Sequence, residues 1–303
     1  MHKSLKISYL KEKFQKGARL KRWGCAIFLS VLPFFLSACQ FAILDPKGQV
    51  AADEKQILWI SVVLMLLVVV PVILLTLGFA WRYRAGNSEA KYSPNWQHST
   101  LLEVVWWSIP CLIIAVLGTI TWISSHRLDP YRPLEGDKKV LVIEAVALEW
   151  KWLFIYPEQQ IATVNYIQLP VGVPVRFLIT AEGPMNSLQI PQLGGQIYAM
   201  AGMQTQLNLI ADVPGDYRGL STNFSGDGFS DMHFTARASS QQAFERWVKK
   251  VKRASGKLTL ETYQTLSQPA VSPVKYYSAV PASLFETVVM KAMMPMTAER
   301  KGN

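Results

Sequence analysis

The chain has 303 residues, a formal charge of +10, three cysteines and hydrophobic residues at half of its positions. Only 17% of its residues are charged, so it carries too much apolar surface to be disordered, and three cysteines cannot staple a chain of this length. The mean hydropathy of +0.17 is high for a soluble protein and directs attention to lipid-facing segments. The positive charge admits three readings: nucleic acid, acidic lipid, or charge gathered in one dispensable place.

The third reading fits the distribution. Residues 1–38 hold eight basic side chains against a single acid, Glu12. An apolar run from Ala26 to Ser37 follows, ending in Leu36-Ser37-Ala38-Cys39. A basic start, a short apolar stretch and small residues before a cysteine form a bacterial lipoprotein signal. The run is too short to cross the roughly 30 Å hydrocarbon layer comfortably. Residues 1–38 are therefore expected to be removed, leaving Cys39 as the lipid-modified first residue on the outer side of the membrane. Without residues 1–38 the excess of basic residues is small, and nucleic acid drops out as a partner.

Two long uncharged segments come next, about 57–80 and 104–125. Each is long enough to span a bilayer as a helix. Trp59 and Trp122 mark one interface; Trp81, Trp106 and Trp107 mark the other. Residues 39–125 thus read as a membrane hairpin with its loop, 81–103, in the cytoplasm. Positive charges on the two sides do not decide the orientation; the lipid on Cys39 does, and it puts everything after residue 125 in the periplasm of a bacterial inner membrane. Pro71 and Pro110 fall inside the two helices. Glu103 sits at the cytoplasmic end, where it reaches water, and Cys111 reads as a small packing residue.

From Lys139 the pattern changes to short strands. Val140 to Ile143 is continuously apolar, as in a strand buried on both faces, and Asp231 to Arg237 alternates cleanly. Gly and Pro clusters punctuate the segment, among them Gly194-Gly195, Pro214-Gly215 and Gly226-Asp227-Gly228. Roughly seven strands over about a hundred residues predict an antiparallel sandwich or Greek-key barrel over 126–238. The remainder, 239–303, reads as a helical arm: Phe244, Trp247, Val248 and Val251 share one helix face. Ser239-x-x-Gln242 and Ser283-x-x-Glu286 read as capping boxes opening two helices.

The chemistry is expected in the loop Gly219 to Met232. A membrane hairpin followed by a periplasmic β domain with this loop resembles subunit II of the haem–copper terminal oxidases. In the cytochrome c-oxidising members, the equivalent loop and an upstream histidine bind a dinuclear copper centre. The corresponding positions here are Asn186 for that histidine, Ser221 and Ser225 for the two cysteines, Asn223 for a glutamate, Phe229 for the second histidine, and Met232, which alone is retained. Ligand supply argues independently against copper: no cysteine follows Cys111, and a serine hydroxyl cannot replace a soft thiolate. The blocks Glu149 to Glu158, Met185 to Pro191 and Gly195 to Thr205 are similar to the quinol-oxidising branch of that family.

That resemblance implies an all-β cupredoxin-like Greek-key sandwich behind a two-helix transmembrane hairpin, with a C-terminal α-helical extension. It implies a non-catalytic subunit of a proton-translocating ubiquinol oxidase. No catalytic or cofactor-binding residue is then expected on this chain. Haems and copper would reside on subunit I, on which the hairpin would pack beside the smaller membrane subunits and the lipid bilayer, the outer domain forming a periplasmic cap. The rival readings are a copper-bearing cytochrome c oxidase subunit II and a stand-alone lipoprotein scaffold or assembly factor. Trp150 and Trp152, near an electron relay in copper-bearing relatives, have no metal to serve and are expected to pack the domain.

Overall fold

The computed structural model describes residues 41–91, 93–134 and 138–293. The basic start, the apolar run after it and Cys39 lie outside the described residues, as does the tail after Met293. Residues 41–45 are the described part of a first unit that ends at Asp45, with a 3-10 turn over Ala42–Leu44. Everything from Pro46 onward belongs to a second unit.

Two long helices open that unit: α1 (Gln49–Arg82) and α2 (Thr100–Arg127), both long and apolar enough to cross a membrane. Each runs without a break through its proline, Pro71 or Pro110. They extend beyond the uncharged runs because polar turns continue them: α1 begins two turns before Ile57. Arg127 at the end of α2 pairs with Asp53 near the start of α1 at 3.1 Å, so the helices are antiparallel neighbours. Their apolar side chains point outward, from Leu66 and Leu74 on α1 to Leu112 and Ile114 on α2. Such a surface is at home only in lipid or against another membrane helix.

Among the described residues eleven strands follow: β1 (Leu141–Leu148), β2 (Lys151–Tyr156), β3 (Ile161–Val164), β4 (Tyr166–Pro170), β5 (Pro174–Ala181), β6 (Asn186–Gln189), β7 (Gln196–Ala199), β8 (Thr205–Ile210), β9 (Gly215–Ser221), β10 (His233–Ser239) and β11 (Lys275–Tyr277). One sheet has the order β11-β3-β2-β1-β5-β8, the other β4-β10-β9-β6-β7. The sandwich is mixed rather than purely antiparallel: β1 pairs with β5, and β4 with β10, in parallel. Both parallel contacts arise because the chain leaves one sheet for the other and returns, which strand alternation alone does not encode.

Strand β1 is buried on both faces only beyond Glu144; Val142 and Glu144 are partly buried. Ile143, Ala145 and Ala147 face the core between the sheets, with Phe154, Phe177 and Phe234. Val146 and Leu148 face the opposite way into a second core, with Leu153 and Ile155. The C-terminal arm supplies the other wall of that second core through Leu258, Tyr263, Leu266, Leu284, Phe285 and Val288. The arm contains α3 (Gln241–Val251), α4 (Leu260–Ser267) and α5 (Leu284–Met293), and also β11, which pairs with β3. The first helix is capped by Ser240 rather than Ser239: Ser240 Oγ accepts from the Ala243 N–H at 3.3 Å. Ser239 is still the last residue of β10, and its hydroxyl accepts from Gln168 Nε2. Thr259 caps α4 in the same manner.

The hairpin is seated on the sandwich at the sheet edges that carry β7 and β8. Lys47 N–H donates to Gln192 O at 2.7 Å, Ala51 N–H to Leu193 O, and Asp212 N–H to Lys47 O. At the other helix, Asn208 donates to Pro130 O through both its backbone and its side chain. Gly48 permits this approach: a Cβ there would stand 2.2 Å from Ile210 O.

Candidate functional site

The loop singled out in the sequence runs from β9 to β10, passing through a 3-10 turn at Phe229–Asp231. Its serines and methionine face inward because β9 and β10 are antiparallel partners and β6 lies on the other side of β9. This places Asn186, at the start of β6, against the loop. Asn186 Nδ2 donates to Ser225 Oγ at 3.1 Å and to Met232 Sδ at 3.2 Å. Ser221 Oγ accepts from the indole of Trp152 at 2.8 Å, and Ser221 N–H donates to Met232 O. Asn186, Ser221, Ser225 and Met232 are all buried. Four of the six positions therefore meet in one hydrogen-bonded, uncharged cluster.

The other two lie apart from it. Asn223 Nδ2 donates to Met185 O at 2.9 Å, and the half-buried Phe229 ring packs edge-on against Phe224, centroids 5.6 Å apart. Trp150 closes the cluster from the β1–β2 turn. It adopts a left-handed backbone (φ 64°) that is unfavourable for so bulky a residue. Its indole donates to Ser225 O at 3.0 Å, and its ring lies directly over Gly228, where a Cβ would stand 2.5 Å from Trp150 Cδ2. The two tryptophans thus hold opposite ends of the loop, Trp152 at Ser221 and Trp150 at Ser225. Their hydrogen bonds leave no mark in the sequence beyond the spacing of the two serines.

A dinuclear copper centre does not fit this donor set. Such a site needs thiolates, and the two positions offer neutral hydroxyls, one of them engaged by an indole N–H and the other by an amide. The Asn186 amide presents a donor N–H to the one soft atom present, Met232 Sδ. Among the described residues no cluster of three His, Cys, Asp or Glu side chains occurs.

Residues 122–239 match the family model for the periplasmic domain of cytochrome c oxidase subunit II, and residues 252–296 match the aromatic-rich motif of the same oxidases. Over 266 residues the chain is 52% identical to cytochrome bo(3) ubiquinol oxidase subunit 2 of Pseudomonas aeruginosa, covering 87% of this chain and 80% of that one. Similarity to ubiquinol oxidase subunit 2 of Acetobacter aceti is also 52%, over 84% of each chain. Quinol oxidase subunit 2 of Bacillus anthracis is 38% identical over 82% of this chain and 87% of its own.

Proposed function

We propose a function from one premise: the chain belongs to the quinol oxidase subunit 2 family. It serves as a non-catalytic subunit of a respiratory complex that passes electrons from ubiquinol to oxygen, and it carries no redox centre itself. The observation that carries this reading is the Asn186–Ser225–Met232 cluster, where hydrogen bonds occupy the positions at which the copper-bearing branch holds its metal. A donor dissolved in the bilayer needs no water-exposed metal relay. The haems and copper of the complex then belong to subunit I, and proton translocation is a property of the whole complex.

In this reading the outward apolar surfaces of α1 and α2 pack on subunit I and the smaller membrane subunits, and the sandwich caps the periplasmic face. The basic run, apolar stretch and small residues before Cys39 support export and lipid attachment at that cysteine, in the bacterial inner membrane. The test compares membranes with and without this chain. Ubiquinol-dependent oxygen uptake should disappear without it, while oxidation of reduced cytochrome c is unchanged. Stoichiometric copper on the purified chain, or loss of the cytochrome c activity alone, would overturn the proposal.

A further inference from the structure

Two neighbouring cavities lie at the end of the hairpin that meets the sandwich. One, about 130 Å³, is lined by charged and polar groups of both signs, including Glu54, Arg127, Asp129 and Arg132. The other, about 190 Å³, lies between α1 and α2, where Ile57, Ile60, Ile120 and Ile123 form its apolar side and Asp53, Gln56 and Ser124 its polar side. They share Arg127 and Leu128 in their walls and so lie side by side. Each matches in size a space known to hold a benzene-sized group, about 150 Å³.

The charged cavity is built. Glu54 is held by the backbone N–H of Gly195, and a Cβ at residue 195 would stand 2.8 Å from Glu54 Oε1, so glycine makes room for the carboxylate. Arg127 is fixed by Asp53 at 3.1 Å and lines both cavities. One oxygen of Asp129 is anchored by the Tyr131 N–H. Trp59 and Trp122, both exposed, mark the headgroup depth at this same end of the helices. Ile60 and Ile123 leave the crevice open to the surrounding hydrocarbon.

We propose that this pair of cavities binds one outer-leaflet phospholipid whose headgroup carries both a phosphate and a primary ammonium. Charge complementarity selects that occupant: the phosphate lies between Arg127 and Arg132, the ammonium faces Glu54 and Asp129, and an acyl chain fills the isoleucine crevice. A headgroup with a phosphate and no ammonium would bring negative charge beside Glu54 and Asp129 with no positive charge of its own. The site rests on the hairpin crossing a membrane and on nothing about quinol oxidation.

The experiment counts phospholipid on the intact oxidase complex, purified in mild detergent and stripped of loosely held lipid. The wild type should retain one phosphatidylethanolamine more per complex than Ile123→Trp, which fills the crevice. It should also retain one more than the double variant Glu54→Gln with Arg132→Gln, which strips charge without altering the packing of the crevice. On re-addition, phosphatidylethanolamine should bind about tenfold more tightly than phosphatidylglycerol with the same acyl chains. Equal retention by the wild type and the double variant would overturn the proposal, as would equal binding of the two lipids. The readout is lipid content, so a complex with no ubiquinol oxidase activity would leave the result intact.

Discussion

Trp152 donates its indole N–H to Ser221 Oγ across 2.8 Å in the fully enclosed centre of the sandwich, where Trp152 has 0% exposure. The serine, which the family resemblance sets at the position of a copper-binding cysteine, meets a need of the fold here. A buried indole N–H without an acceptor is costly, and the hydroxyl removes that cost. Trp152 also packs against Phe154 and Phe234, so the bond orients a ring on which the aromatic core depends.

Replacing Ser221 with alanine should therefore destabilise the chain by about 1–3 kcal/mol, the cost of an orphaned buried donor. Pairing Ser221→Ala with Trp152→Phe should cost less than the sum of the two changes, since the phenyl ring leaves no donor to satisfy. Thermal unfolding of the full chain in detergent, followed by tryptophan fluorescence, measures both. Strict additivity would show that the hydrogen bond contributes nothing.

A buried lysine holds the C-terminal arm. Lys151 is 2% exposed, and its ammonium donates to the carbonyls of Gln268 and Ala270, each at 2.8 Å, and to Glu149 O at 3.3 Å. Asn165 grips the same connector through Ser272 O at 2.7 Å. Lys151→Met keeps the apolar stem and removes the donors, leaving the connector carbonyls unsatisfied. The expected loss is about 3 kcal/mol. It should appear as faster proteolysis between α4 and β11 while the hairpin stays resistant.

Much of this architecture is legible in the sequence, for identifiable reasons. The uncharged runs and their flanking tryptophans mark the helices because the bilayer imposes length and composition. The apolar start of β1 announces a buried strand, but its second buried face lies beyond Glu144, at Val146 and Leu148, where the arm covers it. The spacing of Ser221, Ser225 and Met232 brings them together because the loop keeps its length between paired strands. Other features escape for equally physical reasons. Lys151 lies between two tryptophans, and nothing in its neighbours announces the carbonyls, more than a hundred positions away, that accept from it. Strand β11 has three residues, too few for any periodicity. Adjacent serines at 239 and 240 offer two caps, and only the end of β10 decides between them.

Stability should also depend on pH through Glu144. Burial, reinforced by the Glu286 carboxylate on α5, pushes Glu144 up to about 7. Between about 4.5 and about 7 the folded chain holds a proton that the unfolded chain releases. This contribution is therefore complete at low pH and is lost as pH rises through about 7. Glu144→Gln should flatten that slope and stabilise the chain at pH 8 by roughly 2 kcal/mol, allowing for partial solvent screening. Hydrogen exchange of the β1 amides at pH 5.5 and 8 reads the effect; an unchanged pH dependence in the variant would refute it.

Two glycines separate contacts within this chain from contacts with a partner. Gly48 has an ordinary extended backbone (φ −143°), so alanine there would be unstrained were it not for Ile210 O, 2.2 Å from the added Cβ. That carbonyl belongs to the sandwich and cannot swing aside as a side chain could. Gly48→Ala should thus unseat α1 from the turn before β7 and cost about 2–4 kcal/mol, visible as a lower unfolding temperature of the isolated full chain. Gly78, inside α1, has no atom of the described residues within 4 Å of its virtual Cβ beyond its chain neighbours and its own helix backbone. Gly78→Ala should leave the chain's own unfolding temperature unchanged or slightly raised, since alanine favours the helix by about 1 kcal/mol. Recovery of the oxidase complex from detergent then reports on the partner alone. A Gly78→Ala chain that melts normally yet assembles poorly locates a close helix contact at that turn, whereas normal assembly places lipid there.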